Sequence, residues 1–256
     1  MNLFKAILLK HAYDIKNDKW SFLINMIVQL VNDGIMIYLW IIIFNNIETL
    51  KGYDKYYIIL QYILVVGSIG LVSFFGEGSK NIALYIESGQ LDYFLVRPKK
   101  TVAQMIFVET ATNSISEIFF AIILFFAFFN PTLLDWGYFA LGQVLASLIL
   151  LNLYVFFGFL AFFIKRSSNI SGQYFNFLIT FSSFPSLAFN GLFLRIVLMT
   201  VIPAFFYNYF PAMAIINQEY KLFGWPFLFW IFTTGLVVLT YKIGIRRYVS
   251  RSVTPD

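Results

Sequence analysis

Apolar residues run on in this chain, with few charges, for stretches of about 17 to 25 positions, the length at which an α-helix crosses the hydrocarbon core of a bilayer. A membrane strand needs apolar and polar residues in alternation, and these runs lack it, so a β-barrel is excluded. With 60% of its 256 residues apolar and 12% charged, the chain reads as an all-α integral membrane protein built as a single transmembrane domain over 1–256.

Six spans are expected, at about Phe22–Phe44, Tyr56–Phe75, Ile106–Phe129, Trp136–Ile164, Tyr174–Phe189 and Trp225–Ile245. The stretch Gly191–Ile216 is also apolar, but Pro203 and Pro211 break it and Tyr207, Asn208 and Tyr209 interrupt it. Over 190–216 we expect a re-entrant or interfacial pair of short helices on the outer side, since non-helical backbone at membrane depth must be shielded by protein or line water. Residues 1–20 do not read as a cleaved signal, because Lys5, Lys10, Asp14, Lys16, Asp18 and Lys19 interrupt any apolar core. Phe4, Ile7, Leu8 and Ile15 fall at helical spacing between the lysines, which suits an interfacial helix lying in the headgroup layer.

Loop charge sets the orientation. With six spans, one side collects Lys5, Lys10, Lys16, Lys19, Lys80, Arg97, Lys99, Lys100, Lys165, Arg166, Lys242, Arg246, Arg247 and Arg251, against Lys51, Lys55, Arg195 and Lys221 on the other. The positive-inside rule then places both termini in the cytoplasm of a multi-pass cell-membrane protein. These inner-leaflet charges account for the net charge of +5, so no nucleic-acid partner is implied. Trp20, Trp136 and Trp225 mark span ends.

Several chemistries drop out. The chain has no cysteine, hence no disulfide, thiolate metal site or thiol nucleophile. Its one histidine, His11, is expected to be solvated or interfacial, and no metal site is expected, since zinc or iron needs three or four convergent donors. The glycine cluster Gly76-Glu77-Gly78-Ser79-Lys80 lacks the spacing and ending of a phosphate-cradling loop. No nucleophile, metal set or oxyanion device accompanies the carboxylates, so the chain is not read as an enzyme.

Polar residues at membrane depth are the candidate substrate path. Asp33, beside Asn32, falls near the middle of the first span, where an aspartate costs roughly 2.5 to 3.5 kcal/mol on insertion scales. It must face protein or water, as a contact for a cationic substrate, a proton-coupling site, or a structural hydrogen bond to Asn32, Gln29 or a neighbouring span. Glu109, Asn113 and Glu117 stand four residues apart along the expected third span and would share one helix face, either structural or part of a path.

The segment 76–103 is the only long amphipathic, charge-bearing stretch between spans. Ile82, Tyr85 and Ile86 recur at helical spacing opposite Lys80, Asn81 and Glu87, and Gly89 is placed to end that helix in the left-handed conformation. The run Leu91-Asp92-Tyr93-Phe94-Leu95-Val96 returns to the membrane surface, and Arg97-Pro98-Lys99-Lys100 closes it with headgroup-binding charge. On these residues alone it is either a passive connector or a docking helix for a cytosolic partner.

The stretch Glu87-Ser88-Gly89-Gln90-Leu91-Asp92-Tyr93-Phe94-Leu95-Val96-Arg97-Pro98 resembles the acidic-x-Gly-x-Leu-x-x-x-Leu-x-Arg-Pro loop between the second and third spans of type-2 ATP-binding-cassette exporter permeases. Phe210-Pro211-Ala212 and the closing Gly244-Ile245-Arg246-Arg247-Tyr248 extend the resemblance over nearly the whole length. It implies a non-catalytic transmembrane subunit that pairs with a second permease, identical or related, and with cytosolic ATPase subunits that carry ATP and Mg2+. No cofactor would bind this chain itself. Ile82, Tyr85, Ile86, Glu87, Gly89, Leu91, Arg97 and Pro98 would form the coupling contact with the ATPase. Alternating access would move a hydrophobic or amphipathic drug, lipid or peptide out of the cytoplasm. Two rival readings stand beside it: an ion-coupled carrier using Asp33 with Glu109 or Glu117, and a membrane-embedded assembly or anchoring factor.

Overall fold

The computed structural model describes residues 3–50, 52–184, 196, 200 and 202–248. Every regular element among them is helical. Helix α1 (Leu3–Asn17) leads into α2 (Lys19–Asn46), whose start is capped by the Asp18 carboxylate accepting the Ser21 N–H at 3.1 Å. Asp54 caps α3 (Lys55–Gly76) in the same way, and Thr132 and Asp135 form a reciprocal capping box at the start of α8 (Leu133–Phe159). Between α3 and α8 lie α4 (Ile82–Glu87), α5 (Leu91–Leu95), α6 (Thr101–Phe107) and α7 (Ile115–Phe129), which ends on Asn130 at φ +42°. Helices α9 (Ser167–Ser182), α10 (Phe210–Ile216) and α11 (Gly224–Arg247) complete the order.

Among the described residues, five helical stretches are long and apolar enough to cross a membrane: Lys19–Asn46, Lys55–Glu87, Thr112–Phe129, Leu133–Phe162 and Tyr220–Arg247. The expected fifth span at Tyr174–Phe189 is represented by α9, whose 16 residues fall short of a crossing, and 185–189 lie outside the described residues. Of the expected broken segment 190–216, most of the first half is also outside them, apart from 196 and 200. The second half is more regular than its two prolines suggest. A single π-turn over Phe205–Tyr209, closed by the Phe210 N–H donating to the Phe205 carbonyl, runs straight into α10 with Pro211 in its first turn, where a missing N–H costs nothing.

Helix α3 is the axis. Its span is 78% buried, against 17% for α2 and 22% for α7, and it packs between α7, α8 and α2. Polar side chains tie the outer helices to the centre. Gln143 of α8 donates to the Ile63 carbonyl of α3 at 3.2 Å, and Asn152 of α8 donates to Thr233 and Thr234 of α11 at 3.0 and 2.8 Å.

Two expectations are corrected here. The third span is not one helix from Ile106. The backbone leaves the helix at Val108 and re-enters through a 3₁₀ turn at Thr112–Ser114, a region rich in threonine, asparagine and serine whose side chains compete for backbone hydrogen bonds. The freed groups are satisfied across the bundle, with Ala111 N–H donating to the Ser73 carbonyl at 2.9 Å and Gly78 N–H to the Glu109 carbonyl at 3.3 Å. His11, expected to be solvated or interfacial, is 3% exposed. It stacks on Phe74, donates from Nε2 to the Phe74 carbonyl at 2.9 Å, and contacts the Thr112 hydroxyl at 2.9 Å through Nδ1, pinning α1 to the break.

A Cβ on Gly78 would collide with the Met105 carbonyl oxygen, a backbone atom that cannot swing aside, whereas one on Gly137 would meet nothing. Gly78→Ala is expected to lower stability by about 1–3 kcal/mol, the usual cost of overpacking, and Gly137→Ala to leave it unchanged. Thermal unfolding of both variants in detergent checks this.

Candidate functional site

The loop between α3 and α7 is built from inside out. Ile82, Tyr85, Ile86, Leu91 and Phe94 are all 5% exposed or less and pack with Met105 of α6, Val155 and Phe159 of α8 and Val237 of α11. The closeness of this packing explains Gly158 in α8, where a Cβ would stand 2.8 Å from that of Ile82. Gly89 at φ +78° turns the chain out of α4 as expected. The apolar face expected to meet a partner is therefore turned into the protein. What α4 and α5 show outward is Leu84, Tyr93, Leu95 and Val96, 51%, 53%, 39% and 82% exposed, together with Ser88 and Pro98.

Two carboxylates lash this loop to the bundle. Glu109, at the break before α7, accepts hydrogen bonds from Tyr85 Oη and Asn81 Nδ2, each at 2.6 Å. Glu87, the last residue of α4, accepts from Ser167 Oγ at 3.1 Å, from the Ser168 N–H at 3.0 Å and from Ser168 Oγ at 2.5 Å. It thus serves as the N-terminal cap of α9 from another segment, satisfying an orphan donor and complementing the helix dipole.

The far end of α9 walls a cavity of about 400 Å3. Gln29, Asn32 and Asp33 of α2, Tyr62 of α3 and Glu117 of α7 supply its polar lining, with Thr180 and Ser183 from the α9 end. Asp33 is 3% exposed and accepts from Tyr62 Oη at 3.1 Å and from Gln29 Nε2 at 3.3 Å. Glu117 Oε2 is buried and makes no hydrogen bond. Among the described residues no basic side chain lines the cavity, and the only ion pair among them joins Lys80 to Glu77 at 2.9 Å.

The break in the third span divides the expected polar face. Glu109 serves the loop, and the exposed Asn113 lies in a separate groove with Asp14, Asp18 and Ser21 near the N-terminal helix. Only Glu117 joins Asp33 and Asn32. Gln29 was visible as a hydrogen-bond partner one helical turn before Asp33, whereas Tyr62, Thr180 and Ser183 come from other helices and carry no signal along the chain.

A family model described as ABC-2 family transporter protein matches residues 30–252. The chain belongs to the ABC-2 family. No curated protein and no solved structure matches it. The match takes in the loop, every described cavity residue but Gln29, and the long helices from residue 30 of α2 onward, and it makes the chain an ABC transporter permease, a multi-pass membrane subunit of a family that associates with an ABC ATPase. In this ABC-2 permease, α9 is the element common to both parts of the site. Its start is held by Glu87 of the loop and its end faces Asp33.

Glu87→Ala leaves the Ser168 N–H without its acceptor. Amide exchange at Ser168 and in α4 is expected to accelerate about tenfold, the effect of losing one charge-assisted hydrogen bond of ~1.5 kcal/mol, with Glu87→Gln intermediate because its carbonyl oxygen still accepts. Hydrogen–deuterium exchange read by mass spectrometry checks the order of the three proteins.

Proposed function

We propose that this permease is the transmembrane subunit of an ATP-driven exporter. It works with a second permease, identical or related, and with cytosolic ATPase subunits that bind ATP and Mg2+, and both of its termini lie in the cytoplasm. The observation that carries this reading is the exposed strip of Leu84, Tyr93, Leu95 and Val96 on a loop that is rigidly backed by the bundle and joined through Glu87 to a helix walling the membrane cavity. A partner that closes on ATP and presses this strip has differential contact with two arrangements of the bundle, which is what alternating access requires.

Burial of a leucine or valine side chain contributes roughly 1.5–3 kcal/mol, so Leu84 and Val96 are the residues to charge. Leu84→Glu with Val96→Asp is expected to abolish co-purification of the co-expressed ATPase while leaving the unfolding midpoint of the permease unchanged. Full retention of the ATPase by the double variant refutes this docking face. Tyr85→Ala, by contrast, acts inside the fold and lowers the midpoint.

The cavity supports a cationic amphiphile as cargo. Its described lining holds two carboxylates and no basic side chain, which favours a cation over an anion, and the apolar wall of Ile35, Met36, Val65, Val66 and Ile69 suits an apolar body. In proteoliposomes holding the whole transporter, Asp33→Asn with Glu117→Gln is expected to slow ATP-dependent export of ethidium about tenfold, equivalent to ~1.4 kcal/mol of lost charge contact. Export driven by a proton or sodium gradient without nucleotide would instead assign the cavity to an ion-coupled carrier.

A further inference from the structure

A second groove, of about 350 Å3, lies between the start of α1, the end of α5 and the length of α6. Leu3, Phe94, Phe107 and Val108 supply its apolar lining, while Arg97, Lys99 and Lys100 line it with charge and, among the described residues, no carboxylate does. None of these cations forms an ion pair among the described residues. The turn that carries them is built rather than loose. Gln104 Nε2 donates to the Phe94 carbonyl at 3.1 Å and to the Lys99 carbonyl at 2.8 Å. The Arg97 guanidinium lies 3.8 Å over the Tyr93 ring. Stacking of this kind holds the planar group by its face and leaves the N–H fork at its edge for a bidentate acceptor such as phosphate.

The depth of the groove follows from α1. Leu3, Phe4, Leu8 and Leu9 are about half exposed on a helix that also exposes Lys5, Lys10 and Lys16, the pattern of a helix lying among lipid headgroups. A groove with one end on α1 opens at the level of the phosphates. Its ligand must pair an anionic head with an apolar body, and a zwitterionic head would bring an ammonium against three cations.

We propose that this groove is a binding site for an anionic phospholipid, its phosphate held by Arg97 with Lys99 or Lys100 and the upper part of an acyl chain lying on Phe94, Phe107 and Val108. The bound lipid bridges the interfacial helix to the end of the loop. The site is independent of how transport is driven and of what is transported.

The test uses the purified permease in detergent, its unfolding midpoint read with added phosphatidylglycerol, phosphatidylcholine or inorganic phosphate. Phosphatidylglycerol is expected to raise the midpoint above phosphatidylcholine, and inorganic phosphate to leave it unmoved. Arg97→Gln with Lys99→Gln and Lys100→Gln should remove more than half of the phosphatidylglycerol shift. Lys5→Gln with Lys10→Gln and Lys16→Gln, which takes the same charge from α1, should keep it. If the first triple variant unfolds in phosphatidylcholine, Lys99→Gln with Lys100→Gln replaces it, since that pair leaves the Arg97–Tyr93 stack intact. The proposal is overturned by a wild-type protein indifferent to phosphatidylglycerol, by a groove variant that keeps the full shift, or by an α1 variant that loses as much, which marks diffuse attraction. A shift reproduced by inorganic phosphate overturns it in favour of a site for free anions.

Discussion

Lipid offers no hydrogen-bond partner, and this architecture follows from that deprivation. Every backbone group at membrane depth has to be satisfied by its own helix or by a neighbour, and every polar side chain has to find protein or a cavity. Helix α3 is where the obligation is met most fully, because its burial on nearly all sides lets Tyr62 donate to Asp33 of α2 and lets its Ile63 carbonyl accept from Gln143 of α8. Where the helical ladder is interrupted, as between Val108 and Ala111, the orphaned groups are collected by the end of α3 and the turn after it, through the Ser73 carbonyl and the Gly78 N–H.

That interruption determines much of the site. Had the third span begun as an unbroken helix at Ile106, Glu109, Asn113 and Glu117 would have stood in one row. Because it breaks, Glu109 swings to the loop and takes Tyr85 and Asn81, while Glu117 stays with α3 and the cavity. One carboxylate becomes a staple and the other a wall. Glu87 plays a third role, capping a helix that starts 80 residues later in the chain. The loop is thereby tied at both ends to elements that continue into the membrane, and a load applied to its outer strip has two routes inward.

The direction of faces was the least legible part. Helical spacing placed Ile82, Tyr85 and Ile86 on one side of α4, and they are on one side, but an amphipathic helix at a membrane surface has three candidate hosts for its apolar face: the bilayer, a partner or its own protein. Spacing does not distinguish them. The aromatic and aliphatic residues of α8 and α11 do, since they leave no room for any arrangement but burial, and the outward strip becomes Leu84, Tyr93 and Val96. The burial of His11 is illegible in the sequence for the same reason. A lone histidine among lysines carries no mark of the Phe74 carbonyl and Thr112 hydroxyl that wait for it 63 and 101 residues away.

The sequence by itself determined the helical membrane class, the place of four of the long spans and most of the third, the left-handed turn at Gly89 and the family. These are consequences of hydropathy, local propensity and contiguous motif, which act between residues near one another in the chain. Tertiary structure alone decided which carboxylates meet. Asp33 finds Tyr62 and the wall that Glu117 shares because α2, α3 and α7 pack side by side, and Glu87 finds Ser168 because α4 packs on α9, and packing depends on the shapes of surfaces that no local pattern records.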